Sequence, residues 1–375
     1  MTDPQLFPDD QQENEDDIES DISFKDAVVL NADWTIETIN SQIKKGNIDL
    51  QPGFQRRSAW DEKRKSRLME SIIVGMPVPN IVLAENKEHR GRFIVIDGKQ
   101  RLLSINDFLD DKFKLKGVDI RKDLNDLLFS ELPIEDREYL ENATLRSTII
   151  RNWNDENFLY TIFFRLNSGS LPLSPQELRK ALIGGNLLEN IEHYLSTSPS
   201  FAKVFGGTPD KRMRDSELVL RFLAFDRNLE AYRGDFKEFL DNTTRYFESD
   251  WSKRSFEAAE GLKRLDAAIE VSHSLFGGDT FKKWLGGNYE RVINRAIFDC
   301  LVRFFADPAV FSALPGHEIQ LIDAFKARCL DQNFKNSIEK TTKSLNSTYS
   351  RIDSWGEDVA RCIGKNYDKA THRIV

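Results

Sequence analysis

The sequence predicts an α+β protein: a domain built on a small mixed sheet over about the first 165 residues, followed by an all-α domain. Three observations carry that reading. Two apolar, β-branched runs, NIVLAE and RFIVIDG, are bounded by polar turns and read as buried strands. From about residue 155 onward apolar residues recur at helical spacing, interrupted by Gly277-Gly278, Gly286-Gly287 and Pro308. The chain has 375 residues and 40% hydrophobic content, enough for two ordinary cores. No stretch approaches the ~18 consecutive apolar residues of a membrane span.

Taken in order, residues 1–24 hold nine acids and no Lys or Arg, against a net charge of −8, so the remainder of the chain is close to neutral. Such a segment is expected to be a disordered, solvated tail, with competition for a basic groove as the alternative. It has neither the basic start nor the apolar stretch of a secretory signal, and a soluble, cytoplasmic protein without membrane contact is expected. Domain boundaries are expected at 25–165 for the sheet domain and 166–375 for the helical one.

DWTIETINSQIKKGNIDL reads as an amphipathic helix, with Ile36, Ile39 and Ile43 on one face and Gly46 near its end. IDLQPGFQRRSAW follows as an extended segment with a polar turn. Asp61 is placed to cap EKRKSRLMESIIVG, whose Leu68, Met69, Ile72 and Ile73 form a buried stripe; Gly75 stands at the C′ position, and Pro77 and Pro79 forbid continuation. KQRLLSINDFL is a helix with Leu102, Ile105 and Leu109 inward. FKLKGV and RSTIIRNW are expected as further strands, and NDENFLYTIFFRLNSG as a helix ending at 167–169. Ser174-Pro175-Gln176-Glu177 is a capping box with proline at the first helical position. Later helices are expected around 215–228, 231–248, 256–275, 289–306, 318–330 and 335–363.

The polar residues at 96–101, IDGKQR, carry the chemistry. Asp97 closes a strand, and Lys99, Gln100 and Arg101 fall on the first turn of the next helix. Amide groups there favour anions by about 0.3–1 kcal/mol at an exposed site. Gly98 permits positive φ or a close backbone approach to a ligand. Arg101 offers a planar fork for phosphate, and Gln100 a group for a base or sugar edge. Two cations at a helix start oppose the dipole unless an anion arrives. The alternative is a solvated first turn with Asp97 as its cap. A Walker A loop is not present, because the glycines of GRFIVIDGK stand seven apart with strand-like residues between them.

Two more clusters join this one. FQRRSAW sets Gln55, Arg56 and Arg57 at a turn. FFRLNSGSLPLS places Arg165 one helical spacing from Asn167-Ser168-Gly169, within an apolar face. Arg165 is open to two readings: a buried ion pair, with Asp97 as the candidate partner, or ligand contact. The basic run Lys63, Arg64, Lys65 and Arg67 reads either as a solvated face, partly neutralised by acids at 61, 62 and 70, or as a DNA-backbone contact. Cys300, Cys329 and Cys362 lie about thirty residues apart with no CxxC pair, so buried or half-buried reduced thiols are expected and a zinc site is not. Asp97 is the one carboxylate placed to hold magnesium beside a triphosphate. No nucleophile pattern or aromatic stacking platform stands out.

In this order, QR…W, ESIIVGMPVPNIVL, IDGKQRLLSI and FFRLNSGSLPLSPQELRKAL resemble the N-terminal domain of GmrSD-type modification-dependent restriction enzymes. The resemblance covers about residues 35–235, and NSIEKTTKSLNSTYSRIDSW resembles the family's helical end. It implies a ParB/sulfiredoxin-like domain followed by helices, and NTP binding and hydrolysis that regulates DNA cleavage. The family's motif is Asp-Gly-Gln-Gln-Arg; Asp97, Gly98, Gln100 and Arg101 match it, and Lys99 stands at the first glutamine. Gln55 and Arg56 match the upstream pair, and Arg165 with Asn167 the RLN stretch. By this resemblance Asp97 would hold Mg or the attacking water, and the other eight residues would surround the nucleotide. The histidine-rich motif of an HNH nuclease does not occur, so DNA cleavage by that chemistry is not expected of this chain alone. The sulfiredoxin-type cysteine is also missing. The expected function is therefore an NTP-binding and NTP-hydrolysing sensor of a prokaryotic restriction or anti-phage system. The alternatives are a non-catalytic DNA-binding adaptor that recruits a separate nuclease, and a ParB-like nickase with a metal at Asp97. Expected partners are a nucleotide, DNA that carries a modification, and a separate nuclease subunit.

Overall fold

The computed structural model describes residues 27–50, 60–87, 89–153, 156–166, 174–210, 212–340 and 342–375. These fall into two compact units that divide between Leu182 and Ile183. In the first, β1 (Val28–Thr35), α1 (Ile36–Lys44) and β2 (Ile48–Asp49) lead to α2 (Glu62–Ile73), β3 (Ile81–Glu85), β4 (Phe93–Asp97) and α3 (Lys99–Leu109). Then come α4 (Ile134–Asn142), β5 (Thr144–Arg151), α5 (Glu156–Leu166) and α6 (Pro175–Leu182). The strands form a five-stranded mixed sheet in the order β1-β5-β3-β4-β2. β1 is antiparallel to β5, β5 parallel to β3, β3 antiparallel to β4, and β4 parallel to β2.

Alternation along the strands gives the sheet two buried faces. Ile81, Leu83, Phe93 and Val95 join Ile36, Ile39, Met69, Leu102 and Ile105 in one core. Val82, Ala84, Ile94, Ile96 and Ile150 join Phe158, Leu159, Tyr160, Phe163 and Leu178 in another. The second core is built by α5 and α6, both of which meet β4. A boundary at 165 would separate these two helices, whereas the compact unit runs on through α6.

Several expected elements form as the sequence implies. Asp61 caps α2, accepting from the Arg64 amide at 2.8 Å, and Gly75 follows that helix with φ of 72°. Leu102 and Ile105 are fully buried. Others differ. The segment before Ile36 is not helical: Val28 to Thr35 pair along their whole length with β5, and Thr35 caps α1. FKLKGV is not a strand. Its amides and those just after it find other acceptors: Leu115 N donates to Leu127 O, Lys116 N to Ser66 Oγ, and Ile120 N and Arg121 N to the buried Glu70 carboxylate.

The second unit is helical, with α7 (Asn186–Thr197), α8 (Pro199–Phe205), α9 (Arg214–Asn228), α10 (Phe236–Ser249), α11 (Trp251–Phe276) and α12 (Arg295–Phe305). After these come α13 (Pro308–Phe311), α14 (Glu318–Leu330), α15 (Gln332–Glu339), α16 (Leu345–Cys362) and a terminal hairpin of β6 (Tyr367–Asp368) and β7 (Arg373–Ile374). The helix expected over 335–363 is two helices, because Lys340 turns extended and Ser344 starts α16 by accepting from the Ser347 amide.

α12 is buried along its entire length, and it brings charge into the core. Arg221 donates to Asp299 through Nε at 3.0 Å and again through Nη2, and Arg351 reaches the same carboxylate at 3.5 Å. Arg295 donates to Glu217 at 3.1 Å. All five side chains are at most 4% exposed, so solvent screens none of these pairs. Replacing Asp299 with Asn is expected to destabilise the fold by about 3–5 kcal/mol, since buried Arg351 loses its carboxylate and buried Arg221 the nearer of its two, Glu217 remaining at 3.7 Å. Urea unfolding followed by circular dichroism measures this; a loss below about 1 kcal/mol, the ceiling of an exposed pair, would contradict it.

Candidate functional site

The DGKQR turn is a strand-to-helix junction governed by one residue. Gly98 has φ 96° and ψ 9°, a left-handed conformation that L side chains rarely adopt. A Cβ there would also meet Ile81 Cγ2 at 2.6 Å, so the turn is pressed against the start of β3. No side chain caps α3 and no acid lies in its first turn; Asp97 is therefore not its cap.

Asp97 instead accepts from Arg101 Nη2 at 2.7 Å. The same Nη2 donates to the carbonyl of Asn80 at 2.9 Å. Arg101 is only 7% exposed, and its Nε is buried with no partner. The fork expected to meet phosphate is turned back over the turn, where it joins the end of β4 to the residue before β3. Arg165, the partner expected for Asp97, lies exposed in the last turn of α5. The Asp97–Arg101 pair forms because a left-handed residue between them folds the helix start back onto the strand end, which brings positions four apart together.

Lys99 turns the other way. Its Nζ lies 3.0 Å from Glu177 Oε1, and the two side chains are 10% and 6% exposed. Glu177 is also the capping-box residue of α6: its second oxygen accepts from the Ser174 amide at 2.8 Å, while the Glu177 amide donates to Ser174 Oγ at 3.1 Å. One carboxylate thus starts α6 and neutralises the cation at the start of α3. The capping box was legible in the sequence, but it accounts for only one of the two oxygens, and nothing local pointed the other at Lys99. Gln100 Oε1 accepts from the Trp60 amide at 3.4 Å. Gln55, Arg56 and Asn167 lie outside the described residues.

On α2, Lys63, Arg64 and Arg67 are exposed. Arg67 stands 3.4 Å from Asp119, and the neighbouring Lys65 is held at 2.9 Å by Asp107. Among the described residues no group of three or more His, Cys, Asp or Glu side chains is placed to hold a metal ion. The cysteines are free; burial pushes the Cys300 thiol up to about 12 and the Cys329 thiol up to about 11, which keeps both protonated at neutral pH.

The Lys99–Glu177 pair generates a test. Glu177→Gln retains the cap geometry but strips Lys99 of its facing charge, and is expected to cost about 3–5 kcal/mol. Lys99→Gln added to it is expected to restore most of that loss. A double-mutant cycle by urea unfolding reads the coupling, and simple additivity of the two substitutions would refute it.

No curated protein and no solved structure matches the chain. No helix among the described residues is long and apolar enough to cross a membrane. Residues 36–184 match the family model described as GmrSD restriction endonuclease, N-terminal domain. That span starts at the first residue of α1 and ends just past α6, so it takes in β2 to β5, the DGKQR turn and the Lys99–Glu177 pair. Over residues 36–184 this chain is thus similar to the GmrSD-type N-terminal domains.

Proposed function

We propose that this chain is a nucleotide-responsive component of a restriction or anti-phage defence system, with an NTP-hydrolysing site at the DGKQR turn. The observation that carries the proposal is the family match over the α+β unit, which encloses that turn. The ParB/sulfiredoxin-like character of the sheet domain is part of the same proposal. Local geometry supports it in three ways. The N-terminus of α3 has no side-chain cap and no acid in its first turn, which suits a phosphate. Asp97 is 21% exposed and Arg101 engages only its Oδ2, so its other oxygen is available to a magnesium ion, which characteristically binds through one or two carboxylates and keeps several waters. Glycine at 98 lets a ligand approach the backbone.

In this reading Asp97 takes the ion and Arg101 is a positioning residue that fixes the carboxylate's orientation. Magnesium, when bound, neutralises charge on the phosphates. Gln100 holds Trp60 and with it the end of the segment that carries Gln55 and Arg56, which would reach the phosphates. Arg165, in the last turn of α5, and Asn167 would contribute as well. Lys99, neutralised by Glu177, holds the start of α3 against α6 rather than acting as an open phosphate ligand. DNA, modified or not, and a separate nuclease subunit are the proposed partners.

The second reading, a DNA-binding adaptor without catalysis, is favoured by one observation: Lys63, Arg64 and Arg67 are exposed at helical spacings of three and four on α2. It requires duplex affinity that falls steeply with salt.

The test uses the full chain with Mg2+ and each of ATP, GTP, CTP and UTP, with and without duplex DNA. At least one nucleotide is expected to bind in calorimetry and release phosphate. Asp97→Asn is expected to lower that release by about a hundredfold, about 2.7 kcal/mol of lost charge stabilisation. Failure of all four nucleotides to bind would remove the proposal. Salt-sensitive DNA binding, lost on replacing Lys63 and Arg64 and unaccompanied by phosphate release, would install the second reading.

A further inference from the structure

The helical unit has a half-open pocket of about 260 Å3 between α9, α10, α11, the end of α12 and β7. Leu223, Phe247 and Ala306 give it an apolar floor, all three nearly fully buried. Around that floor stand three arginines and three acids, and their pairing is uneven. Arg264 closes on Asp226 at 2.6 Å. Arg373 reaches the Asp226 carbonyl at 3.2 Å but stands 3.9 Å from Asp307, whose Oδ1 is already taken by the Ala309 amide at the start of α13.

Arg227 is the exception. Its guanidinium lies over the Tyr246 ring at 3.3 Å. Its closest acid, Glu257, is 3.6 Å away, beyond hydrogen-bond reach, and accepts instead from the Tyr246 hydroxyl at 3.0 Å. Among the described residues no acceptor takes a hydrogen bond from Arg227, and its Nε is buried. A guanidinium carries five donors in a rigid fork. Held flat by an aromatic ring on a pocket wall, with its nearest carboxylate at 3.6 Å and no hydrogen-bond acceptor among the described residues, it is organised for an acceptor from outside the chain. A fourth cation adds to the local potential: Arg303, 7% exposed, is bound to the carbonyls of Phe225 and His372 and has no carboxylate within 4 Å among the described residues. Four arginines thus face three acids.

We propose that this pocket binds a small organic oxyanion, a carboxylate or phosphomonoester on a flat apolar body, with Arg227 as its principal anchor. The fork of Arg227 receives two oxygens of the anion. The body lies on Leu223, Phe247 and Ala306, where its burial contributes the rest of the affinity. Glu257 opposes the incoming charge and sets a ceiling on that affinity. The site is independent of the DGKQR turn and of the function proposed for it.

Benzoate and phenyl phosphate, titrated into the full chain by calorimetry, probe the two forms of the anion. Inorganic phosphate and benzyl alcohol separate the charge from the body. At least one aromatic anion is expected to bind saturably, and both single-feature controls at least tenfold more weakly. Arg227→Gln is expected to weaken binding tenfold or more. Glu257→Gln, which still accepts from Tyr246, is expected to tighten it severalfold. These opposite signs cannot both arise from damage to the fold. The proposal is overturned if neither aromatic anion binds saturably, if Arg227→Gln leaves binding unchanged, or if inorganic phosphate binds as well as the aromatic anions.

Discussion

The α+β unit's site depends on one backbone conformation, the left-handed turn at Gly98. Because that residue lies against Ile81, the helix that follows must start within reach of the strand it has just left. Its first three side chains then diverge to three separate segments. Lys99 meets Glu177 at the start of α6, Gln100 meets Trp60 beside α2, and Arg101 meets Asp97 and Asn80 at the facing ends of β4 and β3. Any side chain at 98 would require Ile81 to move and the turn to open, and all three contacts would shift together.

This arrangement separates what was legible in the sequence from what was not. β3, β4 and β5, the cap at Asp61, the glycine at 75 and the capping box at Ser174 all rest on patterns a few residues long, and they appear where those patterns place them. β1 escaped because its early residues are exposed aliphatics rather than an alternating stripe; Val28, Val29 and Leu30 are all more than one-third exposed, and only pairing with β5 over a hundred residues later makes them a strand. FKLKGV misled in the opposite sense, since its strand-like composition gives no hint that Ser66 takes the Lys116 amide and Glu70 the amides just after the segment.

The candidate site shows the same limit. The residue types at 97–101 were legible, and so was their place at a strand end and helix start. Their partners were not. Glu177 is 78 positions beyond Lys99, and polar side chains at a helix start read as solvent-facing unless the distant carboxylate is known. The pairing Asp97–Arg101 is only four residues long, yet it crosses a turn whose geometry depends on the packing of Gly98 on Ile81. A lysine can occupy that buried position because Glu177 faces it.

This has a consequence for how an anion would be held on the proposed reading. Lys99 and Arg101 are neutralised by carboxylates and largely shielded from water, so neither arrives at the ligand as an unspent charge. Moving Lys99 onto a phosphate would abandon the Glu177 oxygen in a nearly dry environment, a cost comparable to the gain. Affinity must then come chiefly from groups that cost nothing to redirect: the amide dipoles at the uncapped start of α3, the open oxygen of Asp97 with its ion, and the arginines outside this ion-pair network. The helical unit makes the contrast concrete. Arg221 and Arg351 are nearly fully buried and share Asp299, and so act as core even though Arg221 also lies over the Phe236 ring, whereas Arg227 is 27% exposed and has no hydrogen-bond acceptor among the described residues. It is the state of the donors, rather than the presence of arginine, that distinguishes a structural cation from one poised for a ligand.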